Sequence, residues 1–326
     1  VHGMPLAILL AASWIEMLSP QEIADEISRN LDFLTAELRD IPERQRSIRA
    51  VFLSSWERLG SDEQAVFMRL AVFRGGFTRA AAQSGARATL PSLSRLVSGS
   101  LLIRDSAEQG RYHIHELLRQ YAEEQLRAAN LWDVTRDAHC AYFVDFLQDL
   151  NSDLKGNRQL GALQEIEADW ENVRAAWQWA VQRRDYGMVG RALDSIYWYC
   201  IMRSRLPAGQ EILRQARERL APVSGAAPHP VWGQLMARAM KINIRYLEPV
   251  DEVKARVTTA LAIAEANNDR REIAFCQWAF GMTFVSIDDS TQALPYFEES
   301  LDHYRAIGDR FCEAWLLYYV GLSRAK

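Results

Sequence analysis

The chain has 326 residues, of which 49% are hydrophobic and 25% are charged, and its formal net charge is -4. This length allows two or three domains with cores of their own, and the charge excludes a strongly basic nucleic-acid-binding protein. The cysteines are far apart in sequence and form no CxxC pair. They predict free thiols of a cytoplasmic protein, with neither a disulfide framework nor a metal site: Cys140, Cys200, Cys276 and Cys312.

The apolar segment near the N-terminus predicts a helix from Pro5 to about Leu18. It is too short for a membrane span and lacks the basic start of a signal peptide, so we expect no membrane association. Ser19 and Pro20 are typical of the start of a second helix. We interpret residues 1–40 as a helical tail of a nucleotide-binding module. Because the chain does not begin with Met, we expect it to be the C-terminal part of a longer protein.

Residues 41–130 carry the pattern of a winged-helix domain. A charged segment with a proline, 39–45, precedes helices predicted at 48–59, after a capping box that begins at Ser61, after Thr78 and at 90–97. Two strands follow, at 101–104 and 112–115, joined by a polar turn. Helices followed by a hairpin are the order of elements that a winged helix has.

The rest of the chain predicts helices only. In the linker region 131–228, they are expected at 131–150, 160–183, 188–203 and 209–220. In 229–326 a 40-residue period pairs Ala274 with Ala314 and Gly281 with Gly321, which is typical of stacked helical hairpins similar to tetratricopeptide repeats. The predicted fold class is therefore mainly α: a helical tail and a winged helix, followed by an α-solenoid.

Three stretches together resemble one family. They are Gly-Met-Pro-Leu-Ala at 3–7, Leu-Ala-Val-Phe-Arg-Gly-Gly-Phe at 70–77 and Ile-His-Glu at 114–116. They resemble motifs of the signal-transduction ATPases with numerous domains (STAND), a class that includes NB-ARC proteins and bacterial transcriptional regulators of the AfsR and LuxR–MalT type. In these proteins a winged helix and helical repeats follow the nucleotide-binding core.

The resemblance implies two nucleotide contacts. Pro5 would pack on the adenine, and His115 would reach the β-phosphate of ADP and hold the inactive state. Ile114 and Glu116 replace the family's Met and Asp. The chain has no Gly-x-x-x-x-Gly-Lys phosphate-binding loop, so we expect no ATP hydrolysis and no bound cofactor in this chain alone. The full-length protein is expected to be an ATPase switch that uses ADP or ATP with Mg²⁺.

The residues themselves leave alternatives open. His115 could simply cap the helix that follows it, and Pro5 could simply start one. The resemblance implies an effector, a small molecule or a protein, on the repeat surface, and self-assembly in the active state. A repeat scaffold without nucleotide binding is the competing interpretation. DNA binding by the winged helix is not expected, because the helix that would enter the groove, Leu90 to Leu102, holds Arg95 as its single basic residue.

Aromatic residues near the middle of the chain have two interpretations, a ligand pocket or a core: Trp177, Trp179, Tyr197, Trp198 and Tyr199. Aromatic side chains at helical spacing favour the core. Near the C-terminus, Tyr318 or Tyr319 is expected to be exposed on an apolar end face.

Overall fold

The computed structural model describes residues 5–15, 17–29, 33–34, 48–105, 110–223, 225–243 and 250–325. Within these ranges the chain forms seventeen α-helices and one two-stranded sheet, so the prediction of a mainly α fold is confirmed. The chain divides into two compact units, Val1–Tyr142 and Phe143–Lys326, and the finer domain boundaries remain predictions. None of the described helices combines the length and apolar character that crossing a membrane requires.

The first unit contains seven helices, the sheet and the first half of an eighth helix. Their bounds are α1 Pro5–Ala12, α2 Pro20–Arg29, α3 Ile48–Trp56, α4 Ser61–Leu70, α5 Arg79–Ala86, α6 Leu90–Ser98, β1 Ile103–Asp105, β2 Arg111–His113, α7 Glu116–Ala128 and α8 Trp132–Leu154. The first helix ends at Ala12, six residues before the predicted end. The predicted boundary at 39–45 lies outside the described residues.

The two strands form an antiparallel hairpin in which Ile103 pairs with His113 and Asp105 with Arg111. Tyr112 of β2 also exchanges two backbone hydrogen bonds of 2.9 Å with Phe77, on the opposite side from β1. Gly75 and Gly76 reach this bridge with φ values of 68° and 88°, which favour glycine. The Gly-Gly-Phe sequence therefore brings the segment that follows α4 to the sheet.

The predicted capping box at the start of α4 is wrong. Gly60 is the N-cap residue and has no side chain with which to cap, while Ser61 already lies inside the helix. Gln64, which a box beginning at Ser61 needed for a backbone bond, instead donates a 3.0 Å hydrogen bond to the carbonyl of Trp56. The predicted cap of the next helix is confirmed, because Thr78 Oγ1 accepts a 3.1 Å hydrogen bond from the Ala81 N–H.

The second unit begins within α8 and contains helices only among its described residues. Their bounds are α9 Gln159–Ala168, α10 Trp170–Gln182, α11 Tyr186–Met202, α12 Leu206–Arg219, α13 Pro230–Asn243, α14 Val250–Ala266, α15 Arg270–Val285, α16 Ser290–Ile307 and α17 Arg310–Arg324. The single helix predicted at 160–183 is wrong. The φ of -109° and ψ of 14° at Asp169 are not helical, so α9 ends there and α10 begins after it.

One turn recurs between the helices of this unit. A residue with positive φ is followed by an aspartate whose side chain accepts a hydrogen bond from a backbone N–H three residues later. The pairs are Arg184-Asp185, Asn268-Asp269, Asp288-Asp289 and Gly308-Asp309. The left-handed residue ends one helix and the aspartate starts the next, so each turn needs only two to four residues.

The helices stack as hairpins: α11 packs on α13, and α13 packs on α15. Within the hairpin of α15 and α16 the contact is close, because Phe297 lies against Gly281. The 40-residue period appears directly in the structure. Asp269 begins α15 and Asp309 begins α17, in the same conformation and with the same capping bond.

Candidate functional site

His115 lies between the sheet and α7. It is the N-cap residue of α7, and its Nδ1 accepts a 3.3 Å hydrogen bond from the Leu117 N–H. Because Nδ1 accepts, the neutral imidazole carries its proton on Nε2. The side chain is half-buried. The sequence thus places a histidine donor beside the N-terminal end of a helix, where the backbone dipoles favour negative charge.

An arginine connects this helix start to the end of α4. Arg119 donates two hydrogen bonds to Glu116, of 2.9 and 2.7 Å, and one of 3.2 Å to the carbonyl of Ala71, which is the C-cap residue of α4. It also donates a 2.7 Å bond to Glu123, one turn further along α7. Glu116 therefore orients Arg119.

The charges around Arg119 balance, because Arg74 and Arg119 face Glu116 and Glu123. Arg74 donates to the carbonyls of Ala71 and Phe73 at 2.7 and 2.9 Å, and it lies 3.5 Å from Glu123. Burial and the neighbouring Arg119 lower the pKa of Arg74 to about 10. Burial raises the pKa of Glu116, but the bonds and charge of Arg119 outweigh it, so this pKa lies below its ordinary value. Glu116 is therefore an anion at neutral pH.

Aromatic side chains pack α7 against α3. Tyr121 is buried against Trp56, with ring centroids 5.9 Å apart, and against Phe52, with centroids 6.3 Å apart. Trp56 in turn packs on Phe67 of α4. The position of His115 therefore depends on this core as well as on its own capping bond.

The second predicted site residue, Pro5, is the first residue of α1. Its side chain lies outside the described part of the molecule, as do Gly3 and Met4. The predicted adenine contact of Pro5 and the predicted phosphate contact of His115 both remain predictions.

The helix that directly precedes the hairpin in the winged-helix pattern, α6, has an exposed surface with little charge. Its exposed positions are Leu90, Pro91, Ser94, Arg95 and Ser98. Arg95 forms an ion pair with the buried Glu63 of α4, and this hydrogen bond holds the pKa of Glu63 below its ordinary value. The single basic residue of this helix is therefore already neutralised by the protein itself.

The second unit contains a buried charge cluster that sequence reasoning missed. Arg238 of α13 is 4% exposed and donates two hydrogen bonds to Glu272 of α15, at 2.8 and 2.9 Å, and one of 3.3 Å to Asp194 of α11. Lys155 also pairs with Asp194. The guanidinium lies 4.6 Å from the ring centroid of Phe275.

The charges in this cluster balance, because two cations face two anions. Burial raises the pKa of Asp194, but Arg238 and Lys155 outweigh it and lower that pKa to about 2. Tyr197 lies nearby; its hydroxyl is fully buried without a hydrogen-bond partner, and burial raises its pKa well above the ordinary value. The cluster thus holds three inner helices together and contains two buried polar atoms without a hydrogen-bond partner, the Tyr197 hydroxyl and Arg238 Nε.

The aromatic residues of the second unit form a core, so the core interpretation is confirmed and the pocket interpretation is wrong. All five of the residues named from sequence are buried. Trp198 contacts Trp278 and Trp315 at centroid distances of 6.1 and 6.3 Å, and Phe311 at 4.9 Å. Within the described ranges, no group of three or more His, Cys, Asp or Glu residues is arranged to hold a metal ion.

Comparison with known proteins gives one long alignment. The chain is 31% identical over 341 residues to a protein named "Putative HTH-type transcriptional regulator" in Mycobacterium tuberculosis H37Rv, and equally to its Mycobacterium bovis counterpart. The alignment covers 99% of this chain but only 37% of those proteins. The chain thus spans little more than a third of the length of the curated relatives it matches. No protein-family model matches the chain.

Two further similarities are weaker. An uncharacterized protein of Mycobacterium tuberculosis is 32% identical over 136 residues, which cover 39% of this chain and 34% of that protein. Among solved structures, a STAND protein with a tetratricopeptide-repeat sensor from Pyrococcus horikoshii is 15% identical, with a TM-score of 0.34. That match covers 98% of this chain and 56% of the other. This similarity is too distant to carry a structural argument.

Proposed function

We propose that this chain is the regulatory portion of a bacterial transcriptional regulator that is controlled by a nucleotide switch. The observation that carries the proposal is the alignment with the mycobacterial proteins, which are named as transcriptional regulators. This alignment extends over 99% of this chain. The finer assignment, a switch of the STAND type, is supported by the placement of His115 at the N-cap of α7.

The residues at this helix start fit a phosphate group. His115 offers an N–H donor on Nε2, and the N-terminal end of α7 favours an anion. In the complete protein, bound ADP would supply the negative charge that these groups recognise. A core outside this chain would supply the phosphate-binding loop and the Mg²⁺ site.

The chain's own residues then define how the off state is held. The capping bond to Leu117 orients the imidazole, while Arg119 ties the start of α7 to Ala71 at the end of α4. We propose that an effector on the helical hairpins favours an arrangement in which His115 leaves the phosphate. Nucleotide exchange and self-assembly then follow.

The winged-helix pattern serves protein packing in this proposal. The exposed face of α6 is formed by Leu90, Pro91 and small polar residues, and its Arg95 already pairs with Glu63. Helices that read a DNA groove present several Arg, Lys, Asn or Gln side chains. We therefore assign the output to a different part of the regulator.

The test uses two substitutions of His115 in the full-length protein. His115→Ala removes both the cap and the phosphate donor. His115→Asp keeps a capping oxygen, since aspartate is a good N-cap residue, but repels phosphate. We expect both variants to raise effector-independent reporter activity at least tenfold and to co-purify with less ADP, while His115→Asp keeps the thermal stability of the wild type.

Three outcomes separate the interpretations. Activation by both variants supports the switch. Activation by His115→Ala alone, together with a lower melting temperature, assigns His115 to helix capping. A normal effector response with unchanged basal activity in both variants favours a repeat scaffold that works without nucleotide.

A further inference from the structure

The last described helix, α17, has a face that is apolar and uncovered. The 40-residue period provides a comparison within the same molecule, because each residue of α17 has an equivalent in α15. Trp278 is 1% exposed, and its equivalent Tyr318 is 61% exposed. Met282 is 9% exposed, and its equivalent Leu322 is 40% exposed. The same face is therefore covered in α15 and open in α17.

A glycine shows what covers this face in α15. The ring of Phe297, on the antiparallel helix α16, fills the notch at Gly281. A methyl group there would lie 2.9 Å or less from three of the ring carbons. Phe297 itself is fully buried. Glycine at this position thus allows an aromatic side chain of the next helix to reach the helix backbone.

The equivalent notch in α17 is present and empty. Gly321 is exposed, and a methyl group at this position would have no neighbour within 4 Å. Glycine inside a helix costs about 1 kcal/mol relative to alanine, so an exposed one without a packing role is unfavourable. Around it stand Leu317, Tyr318 and Leu322, which are exposed hydrophobic residues on the same helix.

We infer that the Gly321 face of α17 seats an amphipathic helix that carries an aromatic side chain. This helix packs antiparallel, as α16 packs on α15, and it belongs to a further repeat hairpin. Because the two faces are equivalent, the interface between α15 and α16 specifies both the shape and the apolar character of what fits α17. The inference does not depend on the nucleotide switch proposed for His115.

The test uses the 326-residue chain and a peptide with the sequence of α16, Ser290–Ile307. The peptide is held helical by a lactam bridge between Asp302 and a lysine introduced by Ala306→Lys; residues 302 and 306 are exposed in α16. Fluorescence anisotropy of a labelled peptide should show saturable binding. Binding should weaken at least tenfold for a peptide with Phe297→Ala and for a chain with Gly321→Leu.

A matched control keeps the experiment specific. Gly161→Leu changes another helical glycine, in α9, with only Arg158 within 4 Å, and should leave peptide binding unchanged. Absence of binding, or equal binding to the Gly321→Leu chain, would overturn the inference. Sedimentation velocity supplies one more outcome: a doubled mass that Gly321→Leu abolishes, without peptide binding, would assign the face to a second copy of the chain.

Discussion

At the scale of single residues, Arg238 illustrates how much depends on partners that are distant in sequence. Its guanidinium bridges Glu272, 34 residues later, and Asp194, 44 residues earlier. Removing one member of a buried pair leaves an uncompensated charge in a medium of low polarity. The cluster therefore makes the alignment of three helices depend on one side chain.

Replacing Arg238 by leucine is expected to lower the free energy of unfolding by about 3–5 kcal/mol, because Glu272 then remains buried without its cation. The double variant Arg238→Leu/Glu272→Leu should recover part of this loss. Urea unfolding of both variants measures the difference. Arg214→Leu, which breaks an exposed network on α12, is the control and should leave the unfolding midpoint unchanged. A single variant as stable as the double would contradict the prediction.

Asp194 predicts a specific loss of stability in acid. Its pKa is about 2 in the folded state, against an ordinary value of 3.8. A carboxyl group whose pKa is lowered by folding stabilises the protein above its unfolded pKa, and this contribution is lost as the pH falls through the folded value. The ~2 kcal/mol involved should disappear between about pH 4 and pH 2.

The measurement is urea unfolding of the wild type and of Asp194→Asn from pH 5 to pH 2. The wild type should lose more stability over this interval than the variant does. Asp302→Asn changes an aspartate whose side chain is 81% exposed, and it should follow the wild type. Parallel curves for all three proteins would show that Lys155 and Arg238 do not stabilise the Asp194 anion.

At the scale of elements, equivalent glycines in α15 and α17 have opposite surroundings. Gly281 faces the ring of Phe297, while Gly321 faces open space. The sequence alone does not distinguish them, since they lie 40 residues apart and occupy the same position in the repeat. Because their packing differs, we expect the same substitution to alanine to change the stability in opposite directions at the two positions.

Gly281→Ala is expected to destabilise the protein by about 1–3 kcal/mol, because the new methyl group overlaps Phe297. Gly321→Ala should instead stabilise the chain by about 0.5–1 kcal/mol, since alanine is the better helix former and nothing obstructs it. Thermal and urea unfolding of the two variants side by side measure the signs. Equal effects would show that the contact between α15 and α16 is looser than the structure has it.

At the scale of the whole molecule, the net charge of -4 and the paired Arg95 argue against nucleic-acid binding by this chain. A gel-shift series with random duplex DNA from 50 to 200 mM salt should show no retarded band at micromolar protein. A protein that neutralises phosphates loses affinity steeply over this interval. A retarded band at low salt that fades with added salt would favour DNA binding and contradict the assignment of α6 to protein packing.

The local order of elements was accessible from sequence. Apolar spacing located most helices to within a few residues, and Thr78 was identified as a cap because its hydroxyl acts on a backbone N–H three residues later. The 40-residue period also required only comparison along the chain. The capping box at Ser61 failed because α4 begins one residue earlier, with Gly60 as its N-cap, and because Gln64 donates to the carbonyl of Trp56 instead.

For this protein the sequence by itself determined the mainly α class, the order of helices and hairpin, the repeat and the junction at His115. These features arise from interactions between residues close in the chain. The tertiary structure alone decided that Arg238 joins Glu272 and Asp194, that the aromatic residues form a core, and that Gly281 is filled while Gly321 is open. Each of these depends on which helices become neighbours, and the same local periodicity is compatible with other pairs of neighbouring helices.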